Sequence, residues 1–465
     1  MRGRGNARCF METALQDQPA RDRFIRELDT NFSVAAGAGV GKTTAIVERV
    51  AQLALRNPTA LSRLVVVTYT KAAAEELRVR ARARVLEQLS ASAHLRQNLL
   101  AESRRAFFGT IHSFCLKLVR EHGRFLSLPQ TIDLLEDEDE PELWARFCES
   151  AALDALRLEP ELMRSVLRFL SFEELLAIAR KIDAETADEI IASHRSVPPP
   201  RVTFARSLAA PGTHSPKYTQ ENQTKLRAWL EEFESGADFL KFPDYATGSA
   251  AFKEAFAAEL DELTDWIGNA AARLAAEIAL GFRDFRRAEH RMTYADQIAW
   301  ARRLIADERV LERLRSREFI VVLDEAQDTD AGMFSILTEI TRPFGARVGE
   351  WPQNSAASGP APGRFCFVGD EQQAIYASRA DLGTYREYLD AFAAGSGGEP
   401  LEFAVTMRCP RRVIGAVNAI FPGRLLQSHL RFRELLPKPQ AADGATWLLP
   451  IEPTPDETQI DALFA

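Results

Sequence analysis

Residues 33–44 have the residue types and spacing of a phosphate-binding loop. Short apolar residues lead into a glycine-rich turn that ends in Gly41-Lys42-Thr43, and a helix-like segment follows. Glycines at such a turn let successive backbone N–H groups face a polyphosphate at the helix N-terminus. Lys42 would reach the β- and γ-phosphates of a nucleotide, and the Thr43 hydroxyl would ligate Mg²⁺. The expected nucleotide-binding positions are Ala36, Gly37, Ala38, Gly39, Val40, Gly41, Lys42, Thr43 and Thr44. The alternative is a flexible glycine turn ahead of a helix.

A second chemically suited pair is Asp324-Glu325, which ends the apolar run 319–323. A phosphate-binding loop needs a further carboxylate to complete its Mg²⁺ site, and Asp324 fits that role. Glu325 would orient or deprotonate the attacking water. The alternative is that both carboxylates cap the next helix, where Asp is favoured in any protein.

These side chains require strands to position them. Short β-branched or aromatic runs, each followed by helical periodicity, are typical of buried parallel strands. The sequence therefore predicts an α/β fold with a parallel sheet. The predicted strands lie within 33–36, 64–67, 107–108, 319–323, 365–368 and 401–405.

Composition excludes several classes of protein. The net charge of −8 argues against a chain that coats nucleic acid by bulk charge, although a local basic groove remains compatible with it. Five dispersed cysteines without a C-x-x-C pair indicate reduced thiols in the cytoplasm and argue against a disulfide framework or a zinc site. No apolar run approaches the roughly 20 residues that span a bilayer, so we expect no membrane segment.

Several further stretches resemble, in order, the motifs of superfamily 1 helicases of the UvrD/Rep kind. The similarity is greatest to AddA- and RecB-type subunits of helicase–nucleases, whose loop also begins with Ala where the strict pattern has Gly, as at Ala36 here. The similar stretches are 68–77 (motif Ia), 109–115 (a single-strand contact motif), 294–297 (the segment before motif II), 324–329 (motif II), 369–376 (motif III) and 406–410 (motif IV).

The resemblance implies an ATP-driven motor that moves 3′ to 5′ along single-stranded DNA in recombination or repair, with ATP and Mg²⁺ as cofactors. It implies that Gln373 senses the γ-phosphate and that Arg408 is an arginine finger. Gln18 would read the adenine edge, with Gln16 as a rival. The residues implied to line the DNA track are Thr68, Tyr69, Thr110, His112 and Tyr376.

The resemblance also implies a domain organisation. Residues 1–124 and 284–398 would form a RecA-like motor domain, and the helix-rich, acidic-led region 125–283 would be a helical insertion. The glycine-rich stretch 393–398 looks like a linker, so residues 399–465 would begin a second motor domain.

Departures from the family pattern leave a second function open. Ser378 and Met407 replace aromatic residues, the Gln often found near Met333 is missing, and motifs V and VI are absent. We therefore expect the N-terminal part of a helicase, which could act with a nuclease or helicase partner subunit. The alternative is a non-motor module that holds ATP and single-stranded DNA for a partner. A P-loop ATPase unrelated to nucleic acid would not need the DNA-track motifs.

Overall fold

The computed structural model divides into two compact units. Unit 1 comprises Met1–Leu126 and Trp300–Ala465, and unit 2 comprises Ser127–Ala299. The residues that the structure describes are 14–88, 101–129, 131–194, 200–210, 216–236, 240–241, 249–354, 356–374, 382–425 and 432–446.

A six-stranded parallel sheet forms the centre of unit 1, in the order β3-β2-β6-β7-β1-β8. The described strands are, in chain order, β1 (Phe32–Ala36), β2 (Leu64–Thr68), β3 (Phe107–Thr110), β4 (Asp133–Leu134), β5 (Arg291–Met292), β6 (Ile320–Leu323), β7 (Phe365–Gly369), β8 (Glu399–Phe403), β9 (Val405–Thr406) and β10 (Leu436–Pro437). Every residue of β1, β2 and β7 is buried, which explains their unbroken apolar character. The predicted α/β fold with a parallel sheet is thus confirmed.

Helices connect the strands of unit 1. The amino-terminal ones are α1 (Gln18–Arg26), α2 (Lys42–Arg56), α3 (Lys71–Gln88) and α4 (Ile111–His122). The apolar faces of α1, α2 and α3 pack with the sheet into one core that includes Phe24, Ile46 and Leu77. Helix α4 starts directly after β3, and α2 starts after the short loop 37–41 that follows β1, so both N-termini lie at the carboxyl edge of the sheet.

Unit 2 is mainly helical, apart from the short parallel pair β4–β5. Its helices are α5 (Glu140–Cys148), α6 (Ala151–Asp154), α7 (Pro160–Leu167), α8 (Phe172–Ala179), α9 (Ala184–Ser193), α10 (Ala205–Ala209), α11 (Pro216–Ser235) and α12 (Ala250–Ala288). Apolar residues at three- and four-residue steps along α12 are buried in one cluster with Trp144 and Trp229, so these tryptophans are core residues.

Helix α13 (Tyr294–Ala306) contains the division between the two units. The helices that follow are α14 (Glu308–Arg315), α15 (Ala331–Glu339), α16 (Leu382–Ala393) and α17 (Arg411–Leu425). No helix among the described residues combines the length and the apolar character needed to cross a membrane.

The loop after α15 is anchored by a buried Arg–Glu–Arg cluster. Glu339 forms ion pairs with Arg315 at 3.0 Å and Arg342 at 2.8 Å, and each of the three side chains is at most 2% exposed. The two arginines also donate to loop carbonyls at Ala346 and Ser358. The cluster therefore fixes a long segment that has little regular structure of its own.

Strand β8 departs from the predicted domain boundary at residue 399. It pairs in parallel with β1 along its full length, as the edge strand of the first sheet. The glycine-rich stretch before it is a close connection: the Asn31 side chain donates to the Gly397 carbonyl at 2.7 Å, and a Cβ at Gly398 would lie 2.5 Å from the Asn31 oxygen. Glycine is needed there because two backbones approach closely. The glycine content of this stretch therefore does not mark a linker between domains. The all-helical region was expected over 125–283, whereas unit 2 comprises Ser127–Ala299.

Candidate active site

The phosphate-binding loop joins β1 to α2 in the conformation that its glycines permit. Gly39 and Gly41 have φ angles of +70° and +85°, in the left-handed region that favours glycine. Gly41 is the N-cap residue of α2, so Lys42 and Thr43 form the first turn of that helix. The loop therefore presents a helix N-terminus at the carboxyl edge of the sheet, which suits an anion.

The two acidic residues after β6 meet this loop. The Lys42 ammonium lies 2.7 Å from Glu325 Oε2, and their side chains are 10% and 35% exposed. Asp324 is buried, and its backbone N–H donates to the Val67 carbonyl at 2.8 Å. Glu325 adopts a φ of +53°, a strained value for a residue with a side chain. The structure thus brings together Lys42, Asp324 and Glu325, which are 283 residues apart at their widest.

The carboxyl groups here are electrostatically unfavourable without a cation. Burial, and then the charge of Glu325, raises the pKa of Asp324 to about 7, and Lys42 opposes the shift. The same two causes raise the pKa of Asp328 to about 6, and its Oδ1 is buried without a hydrogen-bond partner among the described residues. A divalent cation would relieve both effects, because it favours ionised oxygen ligands.

The side chains fit Mg²⁺ rather than a transition metal. Asp324 and Thr43 offer the hard oxygen atoms that Mg²⁺ prefers, and Mg²⁺ usually takes only one or two protein ligands beside phosphates and water. Within the described part of the chain, no three His, Cys, Asp or Glu residues are grouped as ligands of a metal ion.

Gln327 links the acidic pair to the end of β7. Its amide donates to Glu325 Oε2 at 3.0 Å, and its oxygen accepts from the Asp370 backbone N–H at 3.0 Å. Asp370 in turn accepts from the Gln373 amide at 2.6 Å. A continuous set of polar contacts therefore runs from Lys42 to Gln373. The sequence contained Gln327 within motif II, but nothing in its spacing indicated this bridging position.

The segment 404–408 lies directly against the phosphate-binding loop. The Met407 backbone N–H donates to the Gly39 carbonyl at 2.8 Å, and a Cβ at Gly39 would lie 2.9 Å from the Arg408 Cβ. Arg408 is exposed, as is Met407. Leu435, before β10, covers Gly37 in a similar way. The structure thus brings Arg408 to the loop with an exposed side chain.

Two residues that the sequence did not single out connect α1 to both of these segments. Arg21 donates to the Val40 carbonyl at 2.8 Å and to the Val405 carbonyl at 3.3 Å. Asp17 accepts from Arg21 and from the backbone N–H groups of Ala404 and Val405. An Asp–Arg pair at i and i+4 normally indicates a solvated helix face, so it gave no signal in the sequence.

Gln18 begins α1, and its amide donates to Asp22 at 2.9 Å. Its rival Gln16 is exposed in the segment before the helix. Gln16 and Gln18 therefore flank Asp17, one before the helix and one at its first position. Among the described residues, neither has a contact that distinguishes it as the adenine-reading residue.

The implied DNA-contacting residues group at the ends of β2 and β3. Thr68 and Thr110 are register partners, and both are buried. Thr68 donates to the Thr70 carbonyl, and Thr110 caps α4 by accepting from the Ser113 N–H. Tyr69, 40% exposed, is the accessible aromatic residue of this group, and His112 is half-buried in the first turn of α4. Tyr376 and Ser378 lie outside the described residues.

Comparison with known proteins gives a family match over most of the chain. Residues 18–392 match the model described as UvrD/REP helicase N-terminal domain. The chain is also similar to proteins named as the A-type subunits of ATP-dependent helicase/nucleases. Identity is 40% over 111 residues for that of Syntrophomonas wolfei, 42% over 113 for Oceanobacillus iheyensis and 40% over 107 for Staphylococcus aureus MRSA252. These matches cover 22–23% of this chain and 9% of each relative.

Proposed function

The chain belongs to the family of UvrD/REP helicase N-terminal domains, and from that membership we propose that it is the ATP-hydrolysing part of a DNA helicase. Its motor would translocate 3′ to 5′ on single-stranded DNA in recombination or repair. The part of unit 1 that ends with β8 would be a RecA-like motor domain, and unit 2 would be its helical insertion. The residues after β8, which contribute the separate β9–β10 pair, would begin a second motor domain.

The observation that carries the proposal is the contact between Lys42 and Glu325 beside the buried Asp324. Lys42 would bind the β- and γ-phosphates, and Thr43 and Asp324 would hold Mg²⁺. Held there, Mg²⁺ would supply positive charge beside the phosphates. Glu325 would orient the attacking water, and Gln373 and Arg408 would contact the γ-phosphate. Catalysis of this kind is mainly positioning and electrostatic stabilisation.

DNA contact is proposed for the carboxyl ends of β2 and β3. The exposed ring of Tyr69 could stack on a base of any identity, and the polar groups of Thr68, Thr110 and His112 would contact the backbone. Tyr376, which lies outside the described residues, is proposed from the family resemblance to stack on a base. Such contacts do not read sequence, which suits a motor that must move along any strand. The word subunit in the relatives' names supports the proposal of a partner protein.

The deciding experiment is steady-state ATP hydrolysis with and without an oligonucleotide, using Lys42→Ala and Glu325→Gln. The matched controls are Lys253→Ala and Glu308→Gln, which change the same residue types at exposed positions. We expect DNA-stimulated turnover in the parent and both controls, and its loss in both site variants. Glu325→Gln should still bind nucleotide, because the phosphate ligands remain.

Nucleotide binding without stimulated turnover would favour the non-motor module instead. Strand displacement on partial duplexes with a 3′ or a 5′ tail then tests polarity. Unwinding that requires the 5′ tail would overturn the proposed direction of movement.

A further inference from the structure

The pair formed by Asp17 and Arg21 on α1 has features that a simple helix-stabilising pair lacks. The two side chains are 7% and 8% exposed, and they form two parallel hydrogen bonds of 2.8 Å. The guanidinium also lies 4.7 Å from the centre of the Phe403 ring. Bidentate Arg–carboxylate pairs fix geometry in a way that single contacts do not.

Each member of the pair also bonds to backbone groups of another segment. Arg21 reaches the phosphate-binding loop at the Val40 carbonyl, the residue between the two left-handed glycines. Asp17 Oδ2 accepts from the N–H groups of Ala404 at 3.0 Å and Val405 at 2.9 Å. The pair therefore joins the loop to the start of the segment that carries Arg408.

We propose that Asp17 and Arg21 are positioning residues that hold the segment 404–408, which contains Arg408, against the phosphate-binding loop. Through them, nucleotide binding at the loop would change the position of this segment. The proposal rests on the proposed function, since it assigns a purpose to the placement of Arg408. Neither residue is among those proposed to contact the nucleotide or Mg²⁺. A displacement of Val40 by a bound phosphate would move Arg21, and with it the Asp17 carboxylate that anchors Ala404 and Val405.

Three features favour coupling over simple stabilisation. The bonds from the pair end on backbone groups, so they set the position of a segment rather than of one side chain. The same two segments are also joined directly, because the Met407 N–H donates to the Gly39 carbonyl. Gly39 lies three residues before the start of α2. A purely structural pair could be replaced by apolar side chains, whereas these two charges satisfy four backbone groups.

The test is a double-mutant comparison of ATP turnover with Asp17→Asn, Arg408→Ala and the combined variant. We expect Asp17→Asn to lower kcat five- to tenfold while KM for ATP changes less than twofold. In the Arg408→Ala background, the same substitution should change kcat less than twofold, because it acts through Arg408. Losses that multiply independently, or no loss from Asp17→Asn, would overturn the proposal.

Asp29→Asn is the matched control, because Asp29 forms a bidentate pair with Arg56 in the same unit but at an exposed site. It should leave kcat unchanged. Arg21→Lys provides a second variant if Asp17→Asn fails to fold: it keeps the charge but cannot bond to Asp17, Val40 and Val405 together. We expect it to reproduce the drop in kcat.

Hydrogen exchange gives a readout that does not depend on turnover. A non-hydrolysable ATP analogue should slow amide exchange at residues 404–408 of the parent at least threefold, and should leave it unchanged in Asp17→Asn. A parent that binds the analogue without any change at these amides would refute the coupling. A parent that shows the change but hydrolyses no ATP would instead refute the proposed function.

Discussion

Replacing Asp324 by Asn should stabilise the nucleotide-free protein at neutral pH while it abolishes ATP turnover. Burial and the Glu325 charge raise the pKa of Asp324 from 3.8 to about 7. Between these pH values, the folded protein keeps a proton on this carboxyl that the unfolded chain has released. The free energy of unfolding therefore falls as pH rises through this window, and the loss is complete above it.

The size of the effect follows from the width of the window. Each pH unit costs about 1.4 kcal/mol, so the step from pH 5 to pH 7 costs the parent about 3 kcal/mol as an upper limit. Asn has the same shape and no charge, and its oxygen can still accept the Glu325 N–H bond of 3.0 Å. The free energy of unfolding of Asp324→Asn, relative to that of the parent, should therefore rise by up to this amount from pH 5 to pH 7.

Thermal unfolding at pH 5 and pH 8 in the presence of EDTA measures this difference. The unfolding temperature of Asp324→Asn minus that of the parent should be larger at pH 8 than at pH 5 by on the order of 5 °C. Asp29→Asn is the control: its pKa is lowered by the Arg56 hydrogen bond, so Asp29 stays ionised across this range. A difference between Asp324→Asn and the parent that is equal at both pH values would refute the electrostatic reasoning.

Three further changes test the loop, the core and the DNA contact. Gly345→Ala should cost about 1–2 kcal/mol for its left-handed φ and leave ATP turnover intact, since its Cβ meets nothing within 4 Å. Gly39→Ala should cost more and lose ATP turnover, because its Cβ would also lie 2.9 Å from the Arg408 Cβ. Glu339→Gln should lower the free energy of unfolding by about 3–5 kcal/mol in denaturant titrations, because it removes the carboxylate between two buried arginines and leaves Arg315 with only Glu312, at 3.3 Å. Glu308→Gln should change it little. Tyr69→Ala should weaken oligonucleotide binding, measured by fluorescence anisotropy, by about 1–3 kcal/mol, and Tyr69→Phe should retain it. Equal binding by both Tyr69 variants would exclude stacking at this position.

Local patterns predicted much of the sheet and the loop. A buried parallel strand must be apolar throughout, so β2, β6 and β7 were evident from sequence. Residues that lie within one turn, such as Gly41, Lys42 and Thr43, could be singled out equally well, because their spacing is itself the signal. The closeness of Asp324 to that turn followed from the fold class, since both lie at carboxyl ends of parallel strands.

Contacts between distant segments left no comparable signal. The Asp17–Arg21 pair has the spacing of a solvated helix pair, and only the approach of a strand nearly 390 residues later makes it a bridge. The glycines before β8 have the composition of a linker, although Asn31 holds them as a close turn. Composition describes what a segment can do alone, whereas these roles depend on which backbone groups come within hydrogen-bond distance.

The contact of Lys42 with Glu325 has a consequence for how the site works. A lysine that neutralises Glu325 at 2.7 Å holds that carboxylate away from a water molecule and holds its own ammonium away from a phosphate. A nucleotide that attracts Lys42 must therefore break this pair, and the same movement releases Glu325. The Lys42 side chain is only 10% exposed, so a phosphate must replace the carboxylate as the partner of the ammonium. Phosphate binding and the release of the carboxylate that we propose to orient water would thus be one event.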